Sequence, residues 1–179
     1  MKNNISPRFR SPRCTLMLLT LCVVALIFAA GAGSLLRAAP WGRLEPLKSK
    51  RADVERELGT PLPPSTAGRI DGLSALHFKV AGGMVTVTFV DVKFVTTKKL
   101  NSDLEGTVLQ IVLQHESSTD TPNSLKLSNN SNFQREEKDG VTVFRNLKDG
   151  VAYMFFDGKL KTTRYSPSIA QLTAAQGKR

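Results

Sequence analysis

From Ala75 onward, apolar and polar residues alternate, and this period of two constrains the chain more than any other feature. Leu76, Phe78 and Val80 alternate with His77 and Lys79. Successive side chains of a strand point to opposite faces, so the pattern predicts a strand with one buried face. Gly82-Gly83 then predicts a tight hairpin turn. A two-residue turn there pairs Val80 with Val85, Phe78 with Val87 and Leu76 with Phe89, placing six apolar side chains on one face. After that the phase slips. Val90, Val92 and Phe94 have the opposite parity, which predicts either a bulge near Val90-Asp91 or burial of both faces. Further alternating segments cover 107–115, 141–147, 151–156 and 159–165, with turn signals at Lys148-Asp149-Gly150 and Asp157-Gly158. Leu109, Ile111 and Leu113 share one phase in the first of these. About six strands result, all suited to antiparallel pairing.

A short helix is predicted over 50–58. Ser49 is a favourable N-cap, and Asp53 lies near the positive end of the helix dipole. Val54 and Leu58 fall four apart on one face, with Leu47 seven residues before Val54. Gly59 supplies a C-cap and Pro61 prevents continuation. Lys50, Arg51, Glu55, Arg56 and Glu57 form a solvated side. Residues 59–68 read as a stiff loop. Ser166-Pro167 opens a short C-terminal helix at about 167–176, with Ile169 and Leu172 facing inward. Residues 116–133, rich in Ser, Thr and Asn, read as a polar surface loop that Leu125, Leu127 and Phe133 tack down. Shortening such a loop is expected to cost little. The fold class is therefore α+β: a short N-terminal helix packed on a twisted antiparallel sheet of about six strands, with a short C-terminal helix. Residues 49–179 form the single domain. Residues 37–48 read as a linker, where Pro40 and Pro46 break structure and Trp41 offers an apolar anchor.

Ahead of this domain, residues 15–36 carry no charge, and the basic residues Lys2, Arg8, Arg10 and Arg13 precede them. A basic flank, an apolar stretch and then Ala30-Gly31-Ala32 make a signal peptide, with cleavage after Ala32. The 22 uncharged residues can equally span a bilayer as a single anchor, at about 1.5 Å of rise each against a core of roughly 30 Å. Both readings stand for residues 1–36, and each brings the chain to a membrane. The only cysteines, Cys14 and Cys22, lie in this segment. Cys22 follows the bulky Leu21 inside the apolar run, which disfavours a bacterial lipid anchor. A disulfide framework and a cysteine-based metal site are excluded for the body. The net charge is +10, from 25 basic and 15 acidic residues. Setting aside the four N-terminal basic residues leaves a mildly basic body.

The body carries little that points to chemistry. Its histidines, His77 and His115, stand 38 positions apart. His77 takes the polar parity of its strand, and His115 ends a strand beside Glu116. Neither has metal-ligand spacing, and the sequence holds no HExxH, GxSxG, phosphate loop or GxGxxG. No catalytic residue, cofactor or metal site is expected. Tyr153, Phe155 and Phe156 with Lys159, Lys161 and Arg164 resemble a stacking surface for nucleic acid. Parity instead puts Phe155 against Leu160 and Tyr153 against Thr162 on a core face. Phe156 with Lys159, and Met154 with Lys161, fall on the other face, so nucleic acid is not the expected partner.

One stretch carries a resemblance. Trp41, Pro46, Leu47, Ser49, Arg51, Asp53, Val54, Glu55, Leu58, Gly59 and Pro61 give the pattern W…PLxSxRxDVExxLGxP. The chain here resembles a group of small exported bacterial proteins of unknown function, and the likeness continues through DGKLKTTRYSPS near residue 168. It implies export and no particular activity. The helix is also similar to that of the SmpA/OmlA family of outer-membrane assembly lipoproteins, which place a Val five residues before the Gly of Leu-Gly-x-Pro, as Val54 and Gly59 stand here. The chain departs from that family at Lys48, where the family has Gly, and in lacking the lipoprotein cysteine. This likeness implies a helix packed on an antiparallel sheet. The expected function is a non-enzymatic envelope module, exported or membrane-anchored, that binds a protein partner or a surface polymer. Two other classes are a small hydrolase with a site assembled from scattered Asp, Glu and His, and a binder of anionic polymers. The last predicts a contiguous patch of Lys93, Lys98, Lys99, Lys159 and Lys161.

Overall fold

The computed structural model describes residues 39–63, 69–70 and 73–176. The chain divides into two units, Met1–Leu35 and Leu36–Arg179; the described residues all belong to the second. The signal or anchor segment lies outside them. Among the described residues no helix is long and apolar enough to cross a membrane.

The second unit is α+β with an antiparallel sheet. Its elements in chain order are α1 (Arg51–Leu58), β1 (Arg69–Ile70), β2 (Leu73–Val80), β3 (Gly83–Phe89), α2 (Val92–Lys98), β4 (Val108–His115), β5 (Gln134–Lys138), β6 (Val141–Asn146), β7 (Val151–Phe156), β8 (Lys159–Tyr165) and α3 (Ile169–Ala175). The strand order is β1-β2-β3-β4-β8-β7-β6-β5. Seven strands are of ordinary length, and β1 is a two-residue stub at one edge. The expectation of about six strands is thus corrected. β1 is too short to show a period, and β5 (QREEK) is exposed at every position, so it has no apolar alternation to read. It forms the other edge, where a charged strand resists pairing with foreign chains.

The first hairpin keeps the expected faces but not the expected register. The turn is Ala81-Gly82, so Val80 meets Gly83, Phe78 meets Val85 and Leu76 meets Val87. The shift is by two residues, and the apolar face survives it. Gly83 is needed in the strand rather than the turn: a β-carbon there would lie 1.9 Å from the Gln114 carbonyl oxygen on β4. Gly150 is similarly constrained, at φ +68° and with room for a β-carbon only at 2.1 Å from the Ser166 carbonyl oxygen. The phase slip after β3 is the start of a helix. Asp91, two residues past β3, caps α2, its carboxylate accepting from the Phe94 amide at 2.7 Å. Val92 and Phe94 are therefore helical, a correction to the extended strand.

One sheet face holds two apolar clusters. The first contains Phe78, Val85, Val87, Phe89, Val108 and Ile111, with Leu44 and Val54 against them. The second contains Phe144, Phe155 and Leu160 with Leu127. α1 enters the first cluster through fully buried Val54, with Leu58 partly buried. It does not present a whole face to the sheet, as a helix packed flat on it would. Its N-cap is Lys50, whose amide donates to Asp53 Oδ2 at 2.9 Å. Ser49 is engaged elsewhere: its Oγ accepts from the Glu45 amide at 2.9 Å. The segment 116–133 is irregular but packed, with Leu127 buried and Leu125 and Phe133 beside it.

Candidate interaction groove

On the sheet face opposite the two clusters, β6, β7 and β8 place Arg145, Ala152 and Arg164 in one cross-strand row. The small Ala152 side chain leaves a notch between two guanidinium groups. Arg145 Nη1 donates to Glu136 Oε1 at 2.8 Å. Arg164 is exposed and forms no ion pair among the described residues. Two cavities meet at this row. One, of about 90 Å³, extends along the sheet over Val143, Met154 and Thr162. The other, of about 230 Å³, runs to the end of the β6–β7 hairpin and under α3, against Leu147, Val151, Pro167, Ile169 and Leu172.

Local chemistry holds the α3 wall in place. Ser168 Oγ accepts from the Gln171 amide at 3.1 Å, and Gln171 Oε1 accepts from the Ser168 amide at 3.0 Å, a reciprocal capping box. The Ser166 amide donates to the Gly150 carbonyl at 2.7 Å, which ties the approach to α3 to the hairpin. At the other end the Asn101 amide donates to the Ala175 carbonyl at 2.9 Å. The cap is Ser168, not the expected Ser166-Pro167. Ile169 does not face inward: it is 58% exposed, and Leu147 beside the same cavity is 49% exposed. Met154 and Phe156 follow on the same sheet face, Phe156 pairing with Val141 and Met154 with Val143. The other large apolar side chains exposed among the described residues are Leu62 and Val92.

The motif residues come together, but as structure. Pro46 is fully buried, Leu44 and Val54 join the first cluster, and Trp41 and Leu58 pack on its rim. Residues 41–48, expected as a linker, thus supply core. Leu47 has φ +60° and donates its amide to the Val108 carbonyl at 2.7 Å, while the Ser49 carbonyl accepts from the Val108 amide at 2.8 Å. Gly59 takes φ +82° at the helix end, and Pro61 follows, half-buried. A depression of about 490 Å³ adjoins the motif, lined by Arg43, Glu45, Lys48, Asp53, Arg56 and Glu57 among others. Four of its charges engage one another: Lys48 meets Glu45 at 3.2 Å, and Arg56 pairs with Asp53. The Lys50 amide and then Arg56 hold the Asp53 carboxyl below its usual range. A balanced, self-paired surface attracts a charged ligand weakly.

Neither histidine lines these three cavities. His77 is half-buried rather than on a solvated face: Nδ1 lies 3.0 Å from Thr86 Oγ1, and Nε2 is buried with no hydrogen-bond partner among the described residues. His115 Nε2 lies 2.9 Å from Thr163 Oγ1. Burial lowers its pKa, and Asp120 opposes the shift. Asp120 is itself bound to Ser118, at 3.1 Å. His115 is therefore held by a buried threonine, with the Asp120 carboxylate near enough to act on the ring through its charge. Among the described residues no group of three or more His, Cys, Asp or Glu could hold a metal ion. The five lysines do not form one patch. Lys93, Lys98 and Lys99 follow β3 beyond the start of β4, while β8 begins beside the far end of β4.

Sequence reasoning places Arg164 only in the nucleic-acid pattern that parity dissolves, and it does not single out Arg145, Ala152 or Leu147. The available signal is parity: Arg145 and Arg164 both fall on the outward phase of their strands. No protein-family model, no curated protein and no solved structure matches the chain.

Proposed function

We propose that the chain is a non-enzymatic interaction module of the bacterial cell envelope, carried to the membrane by residues 1–36, which binds a protein partner along the groove of β6–β8 and α3. One observation carries the reading. Leu147 and Ile169 line the larger cavity and Met154 the smaller, with Phe156 two residues beyond Met154 on the same strand face, and all four are exposed by 36–58%. Clustered apolar exposure rimmed by polar groups marks interaction sites more than scattered exposure does. Size supports a protein partner over a small ligand. The larger cavity, about 230 Å³, is below the roughly 300–1,000 Å³ of cavities that enclose drug-sized molecules. It suits a single anchoring side chain, the usual centre of a protein–protein contact.

The test is site-specific photo-crosslinking of the full-length chain in living bacteria. A photoreactive residue at Ile169 or Phe156 is expected to capture a discrete envelope protein, and one at Glu55 on α1 is not. Adducts at all three positions alike, or at none, would remove the groove as the binding site. Export is checked in parallel. A reporter fused after residue 60 is expected to be active only outside the cytoplasm, and cytosolic activity would end the envelope assignment.

A further inference from the structure

We infer that the groove recognises an acidic-apolar segment of its protein partner, with an Asp or Glu carboxylate seated over Ala152 between Arg145 and Arg164 and a neighbouring Leu- or Phe-sized side chain filling the cavity under Ile169. This deepens the interaction-module reading and rests on it.

The register supplies the anion site. Adjacent strands stand about 4.8 Å apart, so two residues flanking a third strand in one row have their Cα atoms about 10 Å apart. Arg145 and Arg164 hold those flanking places, with only the Ala152 methyl between them. Both line both cavities. A guanidinium presents a planar fork of donors that matches a carboxylate, and two such forks facing one gap can hold a carboxylate from both sides. Glu136 satisfies only the Arg145 side. Among the described residues the Arg164 guanidinium has no ion-pair partner, and exposed Lys148 adds positive charge beside Leu147. The complement to this rim is negative charge.

Geometry also fixes the second half of the ligand. The larger cavity opens directly from the arginine row and is walled by Leu147, Val151, Pro167, Ile169 and Leu172. A side chain attached within one or two residues of the carboxylate is within reach of it, since a residue advances a chain by roughly 3.3 Å. A carboxylate alone would leave the apolar wall wet, and an apolar side chain alone would leave Arg164 unpaired. The groove therefore selects the combination.

A peptide array tests this. Asp, Glu, Gln or Lys is placed one or two residues from Leu, Phe, Ala or Ser in a Gly-Ser frame, and the array is probed with the labelled full-length chain in mild detergent. Binding is expected only where an acidic residue neighbours Leu or Phe, at least tenfold above the matching Gln spots. Two variants, Arg164→Gln and Ala152→Leu, are each expected to lose at least tenfold. The first removes the open guanidinium, and the second fills the notch while keeping both charges. Melting curves of both variants establish that they fold. Equal signal on acidic and Gln spots, signal on acidic spots regardless of the apolar neighbour, or a blank array overturns the inference. So does Arg164-dependent binding to phosphatidylglycerol vesicles in place of peptides, which would make the anion a lipid headgroup. A blank array alongside discrete crosslinks at Ile169 would discard only the acidic-apolar ligand. Loss of both would discard the interaction module as well.

Discussion

His115 shows how one residue's surroundings decide its part. Its imidazole is drawn into a partly dry site against Thr163, where burial favours the neutral ring and Asp120 only partly offsets this. A histidine whose folded pKa is depressed below its usual 6.5 takes up a proton less readily folded than unfolded. Its contribution to stability is present above that value and is lost as pH falls through the folded pKa. The melting temperature of the native chain should therefore exceed that of His115→Gln most at pH 7.5, and the gap should narrow toward pH 5. A gap that is constant, or that widens on acidification, would show that the ring is not held neutral. His77 is the harder residue to read. Its parity is polar, as the alternation says, but Thr86 and Thr88 on the same face are buried, so that face is not simply solvent. A period of two reports which residues share a face. It does not report whether that face is covered.

The same limit explains which elements are legible in the sequence. Strands with one apolar phase, such as β2 and β3, announce themselves, and the turns before β3, β7 and β8 carry Gly or Asp-Gly in positive-φ conformations. β5 and α2 do not. β5 is held by its ladder to β6 and contributes no buried side chain. α2 depends on one capping carboxylate in a run of β-branched residues that reads as strand. The groove residues are visible only as outward parity, because what makes them a site is their row across three strands. The packing of the loop argues against the expectation that residues 117–131 are dispensable. Its Ser, Thr and Asn groups do not mark disorder here. They bond locally, as Thr121 and Ser124 do through reciprocal amide–hydroxyl contacts at 2.9 and 3.1 Å. That framework delivers Leu127, 4% exposed, to Phe144, Phe155 and Leu160. Leu127→Ala should cost about 2–5 kcal/mol in urea unfolding, the range for a buried leucine. Excision of residues 117–131 should cost at least as much. A loss under about 0.5 kcal/mol for either would restore the loop as dispensable.

At the scale of the whole unit, the strand order sets two meanders side by side, β1–β4 and β8–β5, joined where β4 meets β8. That joint is short, running from Ile111 opposite Tyr165 to Gln114 opposite Thr162. Each meander has its own apolar cluster, so the two could melt separately. Several contacts argue otherwise. Tyr165 belongs to β8 yet packs against the first cluster, and burial pushes its hydroxyl pKa up to about 12. His115 at the end of β4 binds Thr163 of β8. Past β8, α3 bonds back to Asn101, and Gln171 Nε2 reaches the Pro46 carbonyl at 3.5 Å. Losing the second meander would strip partners from the first. The chain has a single tryptophan, Trp41, and it packs on the first cluster, so its fluorescence reports on that half alone. Far-ultraviolet circular dichroism reports on both halves. In a cooperative unit the two signals give one coincident transition. Leu127→Ala, made entirely within the second cluster, should then lower the Trp41 midpoint by as much as the dichroism midpoint. If the dichroism shifts while Trp41 holds its native midpoint, the meanders fold independently, and the β4–β8 joint is a hinge rather than the spine of the sheet.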